Sequence, residues 1–137
     1  MSYSFHHIAL SVSNRKASLE FYGKLGFEEF HTWSADDNSL TIIHLKKDGL
    51  FLELFCYTNY TLAPETIHTT STDLPVIGTK HFGLRVESIE DAKKELIRIG
   101  IANQDVEITQ GRTGPRYFFI SDPDGILVEI AEDSREL

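Results

Sequence analysis

Cys56 is the sole cysteine of the 137-residue chain, so an internal disulfide is excluded and packing alone must hold the fold. Within the apolar stretch Leu50-Phe51-Leu52-Glu53-Leu54-Phe55-Cys56 that thiol reads as core filling, not as a nucleophile. No apolar run approaches the roughly 20 residues that cross a bilayer. The opening Met1-Ser2-Tyr3-Ser4-Phe5-His6-His7 lacks the charged and apolar regions of a secretory signal, and the expected location is the reducing cytoplasm. Positive charge is also scarce: 13 Lys and Arg stand against 21 Asp and Glu, a formal net charge of −8, with no basic cluster. Nucleic acid and anionic membrane surfaces therefore have no electrostatic footing, and a small molecule is the expected partner.

What the chain does have is an internal repeat. His7-Ile8-Ala9-Leu10-Ser11-Val12 is echoed by His81-Phe82-Gly83-Leu84-Arg85-Val86, and Gly26 followed by Phe27 is echoed by Gly100 followed by Ile101. In each copy the apolar period passes from strand to helix and back to strands. The first copy predicts strands over about 5–12, 27–34, 39–45 and 49–57 and a helix over about 14–25, with Asn14 as N-cap, Ala17, Phe21 and Leu25 on the buried stripe and Gly26 as stop. The second predicts strands over about 80–86, 104–109, 115–121 and 126–132 and a helix over about 89–99, opened by Ser88 and Asp91, with Ile89, Ala92, Leu96 and Ile99 as its stripe. Asp122-Pro123-Asp124-Gly125 is a turn joining the last two strands. The expectation is an α+β fold, one domain of two βαβββ repeats joined by a polar connection over about 58–79, which serves as a bridge or as a lid.

Strand alternation sends His7, Ala9 and Ser11 to one face and Ile8, Leu10 and Val12 to the other. His81 likewise shares its face with Gly83, so each histidine has small neighbours that leave room for a ligand. By the same alternation His6 points away from His7, and His31, His44 and His68 have no repeat partner, so these four receive no role. Glu53 and Glu129 each interrupt an apolar strand, Leu50-Phe51-Leu52-Glu53-Leu54-Phe55 and Ile126-Leu127-Val128-Glu129-Ile130-Ala131. A carboxylate in a strand buried on both faces needs a positive partner, either an Arg or Lys or a cation. Both glutamates fall in the final strands of equivalent repeats, which favours a shared divalent ion held by His7, Glu53, His81 and Glu129. Two imidazoles and two carboxylates suit Zn, Ni, Co, Mn or Fe.

In these residues, and in Ala17-Ser-Leu-Glu-Phe-Tyr-Gly-Lys-Leu-Gly-Phe27 and Arg116-Tyr-Phe-Phe-Ile-Ser-Asp-Pro-Asp-Gly-Ile-Leu-Val-Glu129, the chain resembles the vicinal oxygen chelate superfamily over nearly its whole length. The resemblance implies a cup-shaped mixed sheet of paired βαβββ modules with helices outside. Its ring-cleaving dioxygenases and fosfomycin-modifying thiol transferases use three protein ligands, at the positions of His7, His81 and Glu129. Glyoxalase I uses a fourth, at the position of Glu53. That likeness implies a metal-dependent lyase or isomerase, with Zn or Ni foremost, converting a thiohemiacetal of a 2-oxoaldehyde and a thiol cosubstrate into a 2-hydroxyacyl thioester. Either Glu53 or Glu129 is then the general base, and the family favours Glu129.

Two positions depart from the glutathione-using pattern. Ser11 stands where such enzymes place an arginine for a glutathione carboxylate, and Tyr57 stands where they place an asparagine. Ser11, Tyr57 and Arg85, the last corresponding in the second repeat to Ser11 in the first, are the expected substrate contacts. A structural salt bridge is the competing role for Arg85, and Arg116 and Lys80 are weaker candidates. Other chemistries of the superfamily remain alternatives: extradiol dioxygenase, thiol transferase, epimerase, or metal-free sequestration as in bleomycin-resistance proteins. Modules in the superfamily pair within a chain or across a dimer, and a homodimer is the expectation.

Overall fold

The computed structural model describes residues 1–136. The chain forms two compact units, Met1–Leu62 and a second from Ala63 onward. The first contains β1 (Ile8–Ser11), α1 (Arg15–Lys24), β2 (Glu28–Ser34), β3 (Leu40–Lys47) and β4 (Leu50–Tyr57). The second contains a 3-10 turn (Glu65–His68), α2 (Thr70–Asp73), β5 (Phe82–Val86), α3 (Ile89–Arg98), β6 (Thr109–Gln110), β7 (Arg116–Ser121) and β8 (Leu127–Glu132). Each unit carries one four-stranded mixed sheet, in the orders β1-β4-β3-β2 and β5-β8-β7-β6. The first strand of each unit runs parallel to the last, and the remaining neighbours are antiparallel. The α+β, βαβββ reading of both repeats is thus what the chain adopts.

The local causes are repeated as faithfully as the topology. The Asn14 side chain accepts the Ala17 N–H at the start of α1, and Ser88 accepts the Asp91 N–H at the start of α3. Both helices end through a left-handed glycine, Gly26 at φ 93° and Gly100 at φ 80°. The next residue then returns its N–H to the helix, Phe27 to Tyr22 and Ile101 to Leu96. In the first sheet Leu52 and Leu54 of β4 lie opposite Leu45 and Ile43 of β3 on the buried face, with Ile8 and Leu10 of β1 in the same rows. Val128 and Ile130 of β8 do the same in the second sheet with Ile120 and Phe118 of β7. The α1 stripe is wider than its apolar residues indicate: Ser18 and Tyr22 are fully buried beside Phe21, while Ala17 and Leu25 are only half-buried.

One expectation needs correction, and one segment carries more structure than its composition shows. The strand expected over about 104–109 is reduced to the two residues of β6, because the chain turns at Asn103, whose carbonyl accepts the Val106 N–H, and joins the sheet only at Thr109. The polar connection is also structured. Thr69 caps α2 by accepting the Thr72 N–H, and Lys80 donates to both the Asp73 carbonyl and its carboxylate, at 2.9 and 3.2 Å. The Asp122 turn forms as expected, one carboxylate oxygen accepting the N–H of Asp124 and of Ile126 at 2.9 Å.

Candidate metal centre

Register places the two glutamates identically in their sheets. Glu53 of β4 lies between Ala9 of β1 and His44 of β3, and Glu129 of β8 lies between Gly83 of β5 and Phe119 of β7. All six face away from the buried rows, so each carboxylate stands on the open side of its sheet, with a small residue on one flank and a ring on the other. The strands are not buried on both faces as their apolar runs suggest: Glu53 and Glu129 keep 22% and 24% of their side chains exposed. That exposure leaves each carboxylate reachable by a ligand.

Each unit sets a histidine against its glutamate. His81 Nε2 lies 2.9 Å from Glu129 Oε2, and His7 Nε2 lies 3.7 Å from Glu53 Oε1. Both histidines immediately precede the first strand of their unit, so backbone pairing fixes the residue after them. His81 is oriented by Phe119, whose ring meets it edge-on at a centroid distance of 4.8 Å. His6 does not turn away from His7 as strand alternation predicts, because pairing begins only at Ile8. Instead the two Nδ1 atoms are 2.8 Å apart, and both rings sit near Phe51.

His44 was given no role by the repeat, yet its Nε2 lies 2.9 Å from Glu53 Oε2. An ionised carboxylate only accepts, so the imidazole donates from Nε2. The signal for this contact is in the sequence. Asp48-Gly49, both at positive φ (46° and 82°), makes a two-residue hairpin that pairs Lys47 with Leu50. Counting back from that pair puts His44 opposite Glu53.

The expected substrate residues are exposed. Ser11 ends β1 on the open face, and Tyr57 ends β4. Arg85 also lies on the open face, but its Nη2 donates to the Asp133 carbonyl at 2.6 Å. Arg116 is held by Glu90 and Glu132, which keep its pKa above the ordinary value; in return it holds both carboxyl groups below theirs. Lys80 is occupied by Asp73. Cys56 is free and half-buried.

As a donor set, each unit offers a carboxylate beside an imidazole on an open sheet face, Glu53 with His7 and His44 in the first and Glu129 with His81 in the second, donor types that suit a divalent ion. Among the described residues no three His, Cys, Asp or Glu side chains are grouped so as to hold a metal ion. No helix is long and apolar enough to cross a membrane, again among the described residues.

The model of the Glyoxalase/Bleomycin resistance protein/Dioxygenase superfamily matches residues 4–130. The chain is 30% identical over 131 residues to the uncharacterized protein YwkD of Bacillus subtilis (strain 168), covering 94% of this chain and 96% of that one. Among solved structures, the glyoxalase family protein from Enterococcus faecalis superposes with a TM-score of 0.77 at 29% identity, covering 94% of this chain and 97% of its own. The protein SMU.1112c superposes with a TM-score of 0.74 at 33% identity, covering 95% and 98%.

Proposed function

The chain belongs to the Glyoxalase/Bleomycin resistance protein/Dioxygenase superfamily, and from that premise we propose that it is a metal-dependent lyase or isomerase of the glyoxalase type. The substrate class is an α-hydroxycarbonyl, such as the thiohemiacetal of a 2-oxoaldehyde with a cellular thiol. One observation carries this reading: a carboxylate stands beside a histidine on the open face of both sheets, Glu53 with His7 and Glu129 with His81. A fourth ligand at Glu53 is the feature that separates the glyoxalase pattern from the three-ligand chemistries.

In this reading His7 and His81 hold the ion through ring nitrogens, and Glu53 holds it through a carboxylate oxygen. A zinc or nickel ion bound there would act as a Lewis acid toward the substrate's vicinal oxygens and stabilise negative charge developing on them. Glu129 is the general base. It takes the proton from the carbon that bears the hydroxyl and returns it to the neighbouring carbonyl carbon, so the chain gains and loses no proton over the cycle. Ser11, Tyr57 and Arg85 border the substrate, and the absence of an arginine at position 11 points to a thiol other than glutathione.

The test is reconstitution. Protein stripped of metal is expected to have no activity toward methylglyoxal plus a panel of low-molecular-weight thiols, and to regain it with one equivalent of Ni or Zn. Glu129→Gln should retain the ion and lose at least about a hundredfold in kcat, the usual scale of a general base. Oxygen uptake with catechols under Fe(II) would instead establish a dioxygenase, and metal-free protein that binds small molecules unchanged would establish sequestration.

A further inference from the structure

Five of the six arginines are engaged within the protein, and one is not. Arg15 pairs with Glu29, Arg98 with Glu95, Arg116 with Glu90 and Glu132, and Arg135 with Asp133, while Arg85 donates to the Asp133 carbonyl. Arg112 has no hydrogen bond or ion pair among the described residues. Exposure alone does not account for the difference, since Arg98 is paired with 69% of its side chain exposed. Arg112 lies in the hairpin loop between β6 and β7, and the backbone of that loop is held. Gly111 N–H donates to the Pro115 carbonyl at 2.7 Å, and Gly114 N–H to the Gly111 carbonyl at 3.2 Å. The Gln110 amide donates to the Gly114 carbonyl at 2.8 Å, and Arg135 to the Thr113 carbonyl at 3.1 Å. A β-carbon at Gly111 would lie 2.6 Å from the Pro115 oxygen, and Gly114 has a φ of 118°. A free guanidinium is thus carried on a fixed loop.

The hairpin borders a cleft of about 480 Å³ that lies wholly within the second unit, a size that takes a small molecule. Leu74 lines it with an apolar side chain, Thr109 and Arg112 line it from the hairpin, and Tyr117 and Glu129 line it from the open face of the sheet. The Tyr117 ring meets Phe119 edge-on at 5.6 Å, and its hydroxyl has no hydrogen bond among the described residues. Glu129 accepts one hydrogen bond, from His81 to Oε2, and Oε1 has none among the described residues. Two unpaired donors and one unpaired acceptor therefore line the same cleft.

We propose that this cleft binds a small hydroxy acid, with the carboxylate on Arg112 and the Tyr117 hydroxyl and the alcohol end toward Glu129. The guanidinium fork matches the two oxygens of a carboxylate, and the phenol supplies a further donor. An ionised Glu129 only accepts, so the ligand group beside it is a donor and not a second anion. The direction of the ligand follows: acid at the hairpin, alcohol at the sheet. A chain of net charge −8 repels anions at long range, and one unneutralised arginine on a preordered loop gives an anion its local footing. The inference deepens the reading above by giving its substrate an acid group remote from the reacting carbon. It rests on that reading only in taking Glu129 as the group beside that carbon; the binding itself needs no ion.

Binding is measured on the full chain by proton–nitrogen correlation spectra, with glycolate, 3-hydroxypropionate and 4-hydroxybutyrate as probes and butyrate and succinate as controls. One of the three hydroxy acids is expected to bind saturably, to shift the Arg112 Nε–H and the backbone over 109–117, and to bind about threefold or more tightly than either control. Arg112→Gln should weaken that ligand at least about tenfold, the scale of a lost charge-assisted hydrogen bond. Arg112→Lys, which keeps the charge without the fork, should lose less. Lys16→Gln removes the same unit of charge from α1 and should change nothing. In Glu129→Gln the discrimination against succinate should fall, because an amide does not repel a second carboxylate. Equal losses in Arg112→Gln and Lys16→Gln would reduce the effect to net charge and overturn the site. So would a series in which no hydroxy acid exceeds butyrate, or shifts that leave 109–117 untouched. Hydroxy-acid binding in a protein that turns over no thiohemiacetal would uphold the cleft and overturn the proposed reaction. Metal-restored turnover of methylglyoxal in a protein that binds none of the acids would do the reverse.

Discussion

Ser18 is fully buried on α1, and its hydroxyl has no hydrogen-bond partner among the described residues. A buried hydroxyl that gives up water without a replacement is a net cost of folding, on the order of 1 kcal/mol or more. Ser18→Ala removes the unsatisfied oxygen and improves helix propensity, while leaving little void. The expected outcome is a gain of about 1 kcal/mol in urea unfolding; a loss of stability would mean that the hydroxyl is satisfied in solution. Single residues also mark where the sequence was legible. His7 and His81 stood out because they recur at matching places of the repeat beside small residues, and Glu53 and Glu129 because each interrupts an apolar strand at a matching place. His44 did not, because repeat logic searches for symmetry and His44 is the point where symmetry fails. Its contact depends on a cross-strand register, set by the Asp48-Gly49 turn, that alternation along one strand does not contain.

At the scale of elements, the legible parts were those with a local cause. Both long helices have a side chain that caps the first turn and a glycine that stops the last, and both were read to within a residue or two at their starts. β6 was not legible in this way. Val106 and Ile108 alternate with polar residues, as a strand would, but alternation does not say whether a partner is there to pair with, and pairing begins only at Thr109 with Tyr117. α2 was hidden for the opposite reason: Thr69-Thr70-Ser71-Thr72 reads as loop composition, yet a threonine cap on a four-residue helix has just that composition. For α3 the cap yields a measurement. The Ser88 side chain accepts one of the free N–H groups of the first turn, and Ile89 N–H is taken by Glu132 of β8 at 2.9 Å. Ser88→Ala removes the first and leaves the second, so a loss of about 1 kcal/mol is expected, with the thermal midpoint lower by roughly 2–6 °C for a chain of this size. Ser88→Gly should lose only a few tenths of a kcal/mol. Equal losses would assign the effect to packing at position 88 and not to the cap.

The whole molecule is acidic, with a formal net charge of −8 and a sequence pI near 5.1, and its response to acid follows from which carboxyl groups are held by arginine. Acidification from neutrality first relieves the self-repulsion of that negative charge, and stability should rise or hold toward pH 5. Below that point the opposite term takes over. Glu90 and Glu132 sit below the ordinary carboxylate range, chiefly through hydrogen bonds from Arg116. Asp133 falls from 3.8 to about 2, chiefly through the side chain of Arg135 and then its backbone N–H. Each of these groups has a folded pKa below its unfolded one, so the unfolded chain binds more protons in the interval between the two values. The stabilisation they supply is complete above the unfolded pKa and is lost as pH falls through the folded one. For Asp133 that interval runs from about pH 4 down to about 2. The urea midpoint of the protein should therefore peak near pH 5 and fall steeply through this window. Arg135→Gln takes away the leading cause of the Asp133 shift and keeps the backbone donor. Its midpoint should lie below that of the parent at pH 5, converge with it by pH 2, and give a shallower acid limb. If the two curves ran parallel across the window, the Arg135 side chain would not be the source of the acid sensitivity, and Glu90 and Glu132, bound to Arg116, would be the groups to test by Arg116→Gln.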